Sequence, residues 1–225
     1  TYNCRNIVFS SSATVYKAES NKLLNEKDLC EPINTYGNTK LSIEKILKDI
    51  YYSQPLKWKI VSLRYFNPVG AHMSGLIGED PLGKPNNIYP QITKVAIGKL
   101  SQIKVFGDDW PTYDGTGVRD YIHVMDLAEG HIKSLNFLLN EKPQVLTINL
   151  GTGKGTSVLE LIKTFEKVNN VSIPFSFENR RKGDPAFLVA DNSLAISTLN
   201  WRPKRNVEDI CRDGWMWQLN NPNGY

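Results

Sequence analysis

The tyrosine and lysine of INTYGNTK, residues 33–40, stand four positions apart where a turn-like run passes into a helical pattern. On a helix that spacing puts Tyr36 and Lys40 one turn apart on the same face, so both side chains reach one point beside it. A phenol ionises near pH ~10 and is a poor base at neutral pH, but a neighbouring ammonium stabilises the phenolate. Ser12 follows an apolar run, and open α/β sheets bind ligands at such carboxyl ends of strands. Its hydroxyl there can donate to a substrate oxygen. With 10 tyrosines in 225 residues and lysine abundant, about one Tyr-x-x-x-Lys is expected by chance, and the chain has one. On spacing alone, Tyr36 as a core aromatic, Lys40 as a surface charge and Ser12 as a cap all stay open.

The elements that must hold these residues alternate between strand-like and helix-like, as in α/β folds with mostly parallel sheets. NIVFS (6–10) reads as a buried strand stopped by Ser10, Ser11 and Ser12. Leu41, Ile43, Ile46, Leu47 and Ile50 form a helical stripe from Tyr36 that ends before Pro55. KIVSLRYF (59–66) is a second strand, terminated by Asn67-Pro68. A loop rich in Gly, Pro and Asn (68–87) leads to a helix through Ile92, Val95, Ala96 and Leu100, a short strand at 104–107 and a second polar loop, 108–120. Then come a helix from Val124 to Leu139, the strand VLTINL (145–150), a helix at 157–168, a strand at 173–177 and helices near 192–199 and 207–219. The turn LGTGKGTS (150–157) resembles a dinucleotide loop, but Thr156 stands where Gly-x-Gly-x-x-Gly needs its third glycine. It reads as a structural strand-to-helix turn.

A chain that is 40% hydrophobic and 22% charged can bury a sizeable core. The net charge of +4 is scattered, without the basic stripe that a nucleic-acid backbone calls for. No apolar run is long enough to span a bilayer, and the first residues lack signal-peptide character. Three widely spaced cysteines fit reduced thiols in the cytoplasm, and no Cys-x-x-Cys or His-x-x-x-His spacing suggests a metal. The chain opens on TYNCRNIVFSSS without an initiator Met, which reads as a piece of a longer protein.

The strings FSSSATVY, TYGNTK, LRYFNPVGAH, GEDPLGKPNN, DGTGVRDYIHVMDLAEGH, NLGTGKGTSV and RRKGDP together resemble UDP-glucose 4-epimerases of the extended short-chain dehydrogenase/reductase superfamily, over nearly the whole chain. The resemblance implies an α/β fold: the carboxy-terminal part of a Rossmann-type NAD-binding domain with a parallel sheet (1–67), and a smaller α/β nucleotide-sugar-binding domain (68–225). Parts of about 120–150 would return to the first domain. It implies NAD as cofactor, a UDP-sugar substrate and a homodimer. Tyr36 would take the proton of the sugar 4-hydroxyl, Lys40 would hold the cofactor ribose and stabilise the phenolate, Ser12 would orient the 4-oxygen, and Phe66 would lie beside the cofactor. Arg119 and Arg181 match pyrophosphate binders, Asn67 and Asn87 polar substrate contacts, Ile88 and Phe106 the flanks of the nucleotide, and Asp184 a ribose contact. Tyr121 also matches that site, and Leu188 lines the sugar pocket. Taken alone, Arg119 beside Asp120 reads as a surface ion pair. His72, His123, His131, Glu79 and Asp80 are left as structural.

The family's opening strand, Gly-x-x-Gly-x-x-Gly loop and helix have no counterpart in this sequence, so activity is expected of the full-length protein and not of this chain alone. Leu188 is intermediate in bulk and leaves acceptance of N-acetylated sugars open. A nucleotide-sugar 4,6-dehydratase shares the Tyr/Lys pair, but that family resembles Thr-Asp-Glu after the strand, where this chain has Ser12-Ala13-Thr14. Decarboxylases and reductases are disfavoured by the RYFNPVGAH and GVRDYIHVMDL strings. A module that only binds nucleotide sugar is disfavoured by the retention of Ser12, Tyr36 and Lys40.

Overall fold

The computed structural model describes residues 4–18, 21–81, 83, 85 and 87–225; Leu82, Lys84 and Asn86 of the GEDPLGKPNN string lie outside the described residues. Strand β1 (Asn6–Ser12) leads into a 3-10 turn, Ala13–Val15, and helix α1 (Thr35–Ser53) returns the chain to β2 (Lys59–Tyr65). After β3 (Asn67–Val69) come α2 (Ile88–Ala96), β4 (Ile103–Phe106), β5 (Val118–Arg119), β6 (Tyr121–His123) and α3 (Val124–Asn140). The chain continues with β7 (Gln144–Leu150), β8 (Thr156–Ser157), α4 (Val158–Asn169), β9 (Phe175–Glu178), β10 (Phe187–Leu188), α5 (Ser193–Leu199) and α6 (Val207–Asn220).

Strands β1, β2 and β7 form a parallel sheet in that order, with Ser12 opposite Tyr65 and Tyr65 opposite Leu150. Parallel strands need long crossovers, and α1 supplies the one between β1 and β2. Ile60, Val61 and Leu63 are fully buried because β2 is central and covered on both faces. Side chains alternate between those faces. Val61 and Leu63 pack with Leu127 and Leu138 of α3, and Tyr65 meets His131 of α3, whereas Arg64 turns to Glu44 of α1. The two helices therefore cover opposite faces. The fold is α/β, a partial Rossmann-type sheet with further mixed α and β elements.

A second core unites α2, β4, α4 and α6 around Ile92, Ile103, Phe165 and Ile210. Two of its helices start where the sequence supplies caps: Ser157 and Glu160 form a capping box on α4, and Asn206 and Asp209 form one on α6. Four small pairings hold the loops that reach the site. Asn67 of β3 pairs with Tyr121 of β6, Arg119 of β5 with both Leu188 of β10 and Thr156 of β8, and β4 runs parallel to β9.

Three expectations are corrected. The first strand does not stop at Ser10; it runs through Ser12, because Ser10, Ser11 and Ser12 pair with Leu63, Arg64 and Tyr65. Pro68 does not end the extended chain, since β3 resumes after Phe66 alongside β6. Arg119 and Asp120 are not a surface ion pair: Asp120 is fully buried and its carboxylate bonds elsewhere.

Candidate active site

Asn34 opens α1 by accepting a hydrogen bond from the Gly37 amide at 2.8 Å, which fixes where the helix begins relative to Tyr36. Gly37 lies directly on the carbonyl of Thr14; a Cβ there would come within 2.4 Å of that oxygen. The first turn of α1 thus rests on the turn that ends β1. Lys40 Nζ donates to the Ser10 carbonyl at 2.9 Å and lies 5.4 Å from the centroid of the Tyr36 ring, which is 56% exposed. Ser12 Oγ accepts from the Thr14 amide (3.2 Å) and the Thr14 hydroxyl (3.0 Å), leaving its own proton free to donate. So Ser12 is a cap, and a cap with a spare donor. Nearby, Tyr65 donates to Ser10 Oγ at 2.7 Å and meets His131 Nε2, and burial raises its pKa.

On the side of the small pairings lies a cleft of about 200 Å³. Asn67, Arg119 and Tyr121 line it from the paired strands, Asn87 and Ile88 from the start of α2, Phe106 from the end of β4, and Arg181 and Asp184 from the loop after β9. A neighbouring cavity of about 360 Å³ shares Asn67, Arg119 and Asp184 with it and extends to Leu188, Tyr16, Thr14 and Asn34. Asn67 Oδ1 is buried and has no hydrogen-bond partner among the described residues. Such an atom is costly unless a ligand donor meets it. Arg119 spends one N–H on the Val118 carbonyl (2.9 Å) and has no carboxylate within ion-pair distance among the described residues. Burial pulls its pKa down, opposed by Tyr121 and Asp184. A half-buried guanidinium in that state suits an incoming anion. Gly117 makes the room, since a Cβ there would sit 3.2 Å from Arg119 Nη1. The Arg181 guanidinium stacks 3.7 Å over the Phe106 ring, and burial raises the Tyr121 pKa to about 12.

Eight sequence-selected residues therefore share one cleft and Leu188 lines the cavity beside it. Tyr36, Lys40, Ser12 and Phe66 line neither. The cavity ends on their neighbours Ala13, Thr14 and Asn34, and Phe66 is buried with Tyr16 and Ala190 beneath it. Sequence reasoning passed over Trp110, a wall of the cleft on which Arg180 stacks at 4.2 Å, although an aromatic in the Gly/Asp-rich loop FGDDW was a visible signal. It also missed the part played by Asp120. Its carboxylate accepts from the Thr152 amide and hydroxyl (both 2.7 Å), the Gly153 amide (3.0 Å) and the Ala190 amide (3.2 Å). The amides of the LGTGKGTS turn that could cradle a phosphate hold this internal carboxylate instead. His123 accepts from the Met125 amide at its Nδ1 (3.0 Å) and faces Asp213 through Nε2 (3.3 Å), which makes it the cap of α3.

A three-strand parallel sheet whose first strand ends in Ser12, with the Tyr36/Lys40 pair on the helix that follows and an arginine-lined cleft beyond, has the architecture of the extended short-chain dehydrogenase/reductases. The family model described as GDP-mannose 4,6 dehydratase matches residues 1–214, and the chain belongs to that family. Over its whole length the chain is 52% identical to a UDP-glucose 4-epimerase of Bacillus subtilis and 52% identical to UDP-glucose 4-epimerase 2 of Arabidopsis thaliana. It spans 66% and 64% of those two proteins. Among solved structures, a UDP-glucose 4-epimerase from Stenotrophomonas maltophila with bound NAD and formylated UDP-arabinopyranose superposes at TM-score 0.94 and 48% identity, covering 97% of this chain and 64% of that one. The Bifidobacterium longum UDP-glucose 4-epimerase in complex with NAD+ and UDP superposes at TM-score 0.93 and 48% identity, covering 99% and 66%.

Proposed function

We propose that this chain carries the catalytic pair and the nucleotide-sugar site of an NAD-dependent UDP-glucose 4-epimerase, which interconverts UDP-galactose and UDP-glucose through a 4-keto sugar. The observation that carries the reading is the convergence of Asn67, Arg119 and Arg181 on one cleft, with the Arg119 charge unpaired and the Asn67 oxygen unsatisfied among the described residues. Those are the groups a diphosphate and a polar sugar or base would complete. Phe106 and Ile88 flank the nucleotide, Asn87 and Asp184 supply polar contacts, and Tyr121 and Leu188 shape the floor and the sugar end. The β1–β2–β7 sheet with α1 and α3 belongs to the dinucleotide domain and the remainder to the nucleotide-sugar domain, in a cytoplasmic homodimer.

The groups at the end of β1 fit a nicotinamide cofactor: Lys40 has two N–H groups beyond the one on Ser10, and the Tyr36 hydroxyl is open to a ligand. When bound, NAD supplies the hydride acceptor and donor for C4. The protein's part is the proton. Tyr36 Oη takes it from the 4-hydroxyl as the carbonyl forms and returns it when the carbonyl is reduced on its other face. Ser12 donates its free proton to the 4-oxygen, and Lys40 holds the cofactor ribose beside it. With Ala13 and Thr14 after Ser12, no carboxyl group stands there to eliminate water, which favours epimerisation over dehydration.

Calorimetric titration of the chain with UDP and with uridine tests the site. UDP should bind at least ~30-fold more tightly than uridine, and R119A should remove most of that difference, as charge-assisted bonds contribute about 1.5–3 kcal/mol. Equal affinity for the two ligands would overturn the assignment of the cleft.

A further inference from the structure

The buried ion pair between Glu44 and Arg64 lies under the site and outside every role assigned above. Both side chains are about 2% exposed, and they meet as a fork: Arg64 Nε donates to Glu44 Oε1 at 3.0 Å and Nη2 to Oε2 at 2.6 Å. Glu44 Oε1 also accepts from the Ser11 hydroxyl at 2.5 Å. Glu44 stands one helical turn beyond Lys40 on the same face of α1, and Ser11 follows Ser10 on β1. Two successive turns of α1 are thus bound to two successive residues of β1, Lys40 to the Ser10 carbonyl and Glu44 to the Ser11 hydroxyl. Beyond it, the Arg64 guanidinium lies 4.7 Å from the Tyr16 ring centroid, and Tyr16 donates to Asn149 Oδ1 at 2.6 Å while lining the cavity that reaches Leu188.

Resting on the epimerase reading, we propose that the Glu44–Arg64 pair is the positioning element of the Tyr36/Lys40 pair, fixing the rotation of α1 on the sheet and tying it to the Tyr16 wall of the sugar cavity. Apolar packing alone leaves that rotation loosely set, because Leu47 is the one buried apolar side chain of α1, Leu41 is only partly buried against the Ala13 and Val15 cluster, and neither contact is directional. A forked ion pair is directional, and its best-attested use is to select one register among several of similar stability. It touches no reacting atom. Its effect reaches the chemistry through the placement of the Tyr36 hydroxyl, where a displacement of about 1 Å costs on the order of a hundredfold in rate.

The test replaces the pair by apolar side chains of similar size, E44L/R64M, in the full-length protein, alongside R64K, which keeps the charge and loses the fork. The double variant should stay folded and melt within a few degrees of the parent, because removing both buried charges is often neutral or stabilising while the Ser11 hydroxyl loses its acceptor. Its kcat for UDP-galactose should nevertheless fall at least ~10-fold with KM within about threefold, and R64K should fall between it and the parent. Amide hydrogen exchange over residues 36–40 should quicken in the double variant whether or not the protein turns over. Parent-level kcat in a stably folded double variant, or unchanged exchange over 36–40, would overturn the proposal. A parent with no turnover would instead count against the epimerase reading, while the exchange result would still decide the positioning role.

Discussion

Replacing Asp120 by alanine should destabilise the protein by about 3 kcal/mol, and the figure follows from what its carboxylate holds. It accepts four hydrogen bonds, three of them from backbone amides on two separate segments. The Ala190 amide is buried and would be left without a partner, a cost of about 1–3 kcal/mol; Thr152 and Gly153 are half-buried, can recover water, and lose about 1 kcal/mol each. Against this, burial raises the Asp120 pKa despite all four bonds, so ionising the carboxyl in this place costs energy that alanine recovers. The sum stays near ~3 kcal/mol, or a fall in Tm of about 6–12 °C for a chain of this size. D120N keeps one acceptor oxygen but turns a buried NH2 donor onto groups that themselves donate, and should lose at least as much as D120A. Urea denaturation of the three proteins measures the differences. A loss below about 1 kcal/mol for D120A would mean the glycine turn holds its own shape.

Two further outcomes bear on the frame around the site. Burial lowers the His123 pKa from 6.5, Asp213 opposing, so the unfolded chain binds the extra proton first. The stability owed to neutral His123 is complete above pH 6.5 and is lost as pH falls through the folded-state value. The urea midpoint should therefore drop more steeply between pH 7.5 and 5.5 in the parent than in H123N, whose amide can still cap Met125; an equal or shallower drop would contradict this. Gly37→Ala should destabilise rather than give the ~1 kcal/mol gain usual for this change in a helix, because its Cβ would meet the Thr14 carbonyl at 2.4 Å. A raised Tm in G37A would show that α1 can shift without cost.

The long elements were legible because their apolar periodicity is local. β2 reads as a buried run and α1 as a stripe without any knowledge of their partners. The two-residue strands β5, β8 and β10 carry no such signal, since Arg119 becomes extended only through its pairing with Leu188 and Thr156. Yet they shape the cleft. The Arg119–Asp120 misreading had a remedy in the chain itself, because adjacent residues in extended backbone face opposite ways and cannot share a surface ion pair. The hydroxyls of Ser10–Ser12 looked like a stop, but Ser11 pairs in register because Glu44 gives its side chain a buried partner. That partner lies 33 residues away. The cleft residues came through the resemblance to the epimerases, since no spacing relates Asn67, Phe106, Arg119 and Arg181 before the chain is folded.

The central claim is tested most directly by supplying the full-length protein with NAD and UDP-galactose and following UDP-glucose. The proton-transfer assignment predicts steady conversion that falls more than about a hundredfold in Y36F, with the melting temperature unchanged. Conversion at the parent rate in Y36F, or none in the parent, would contradict it.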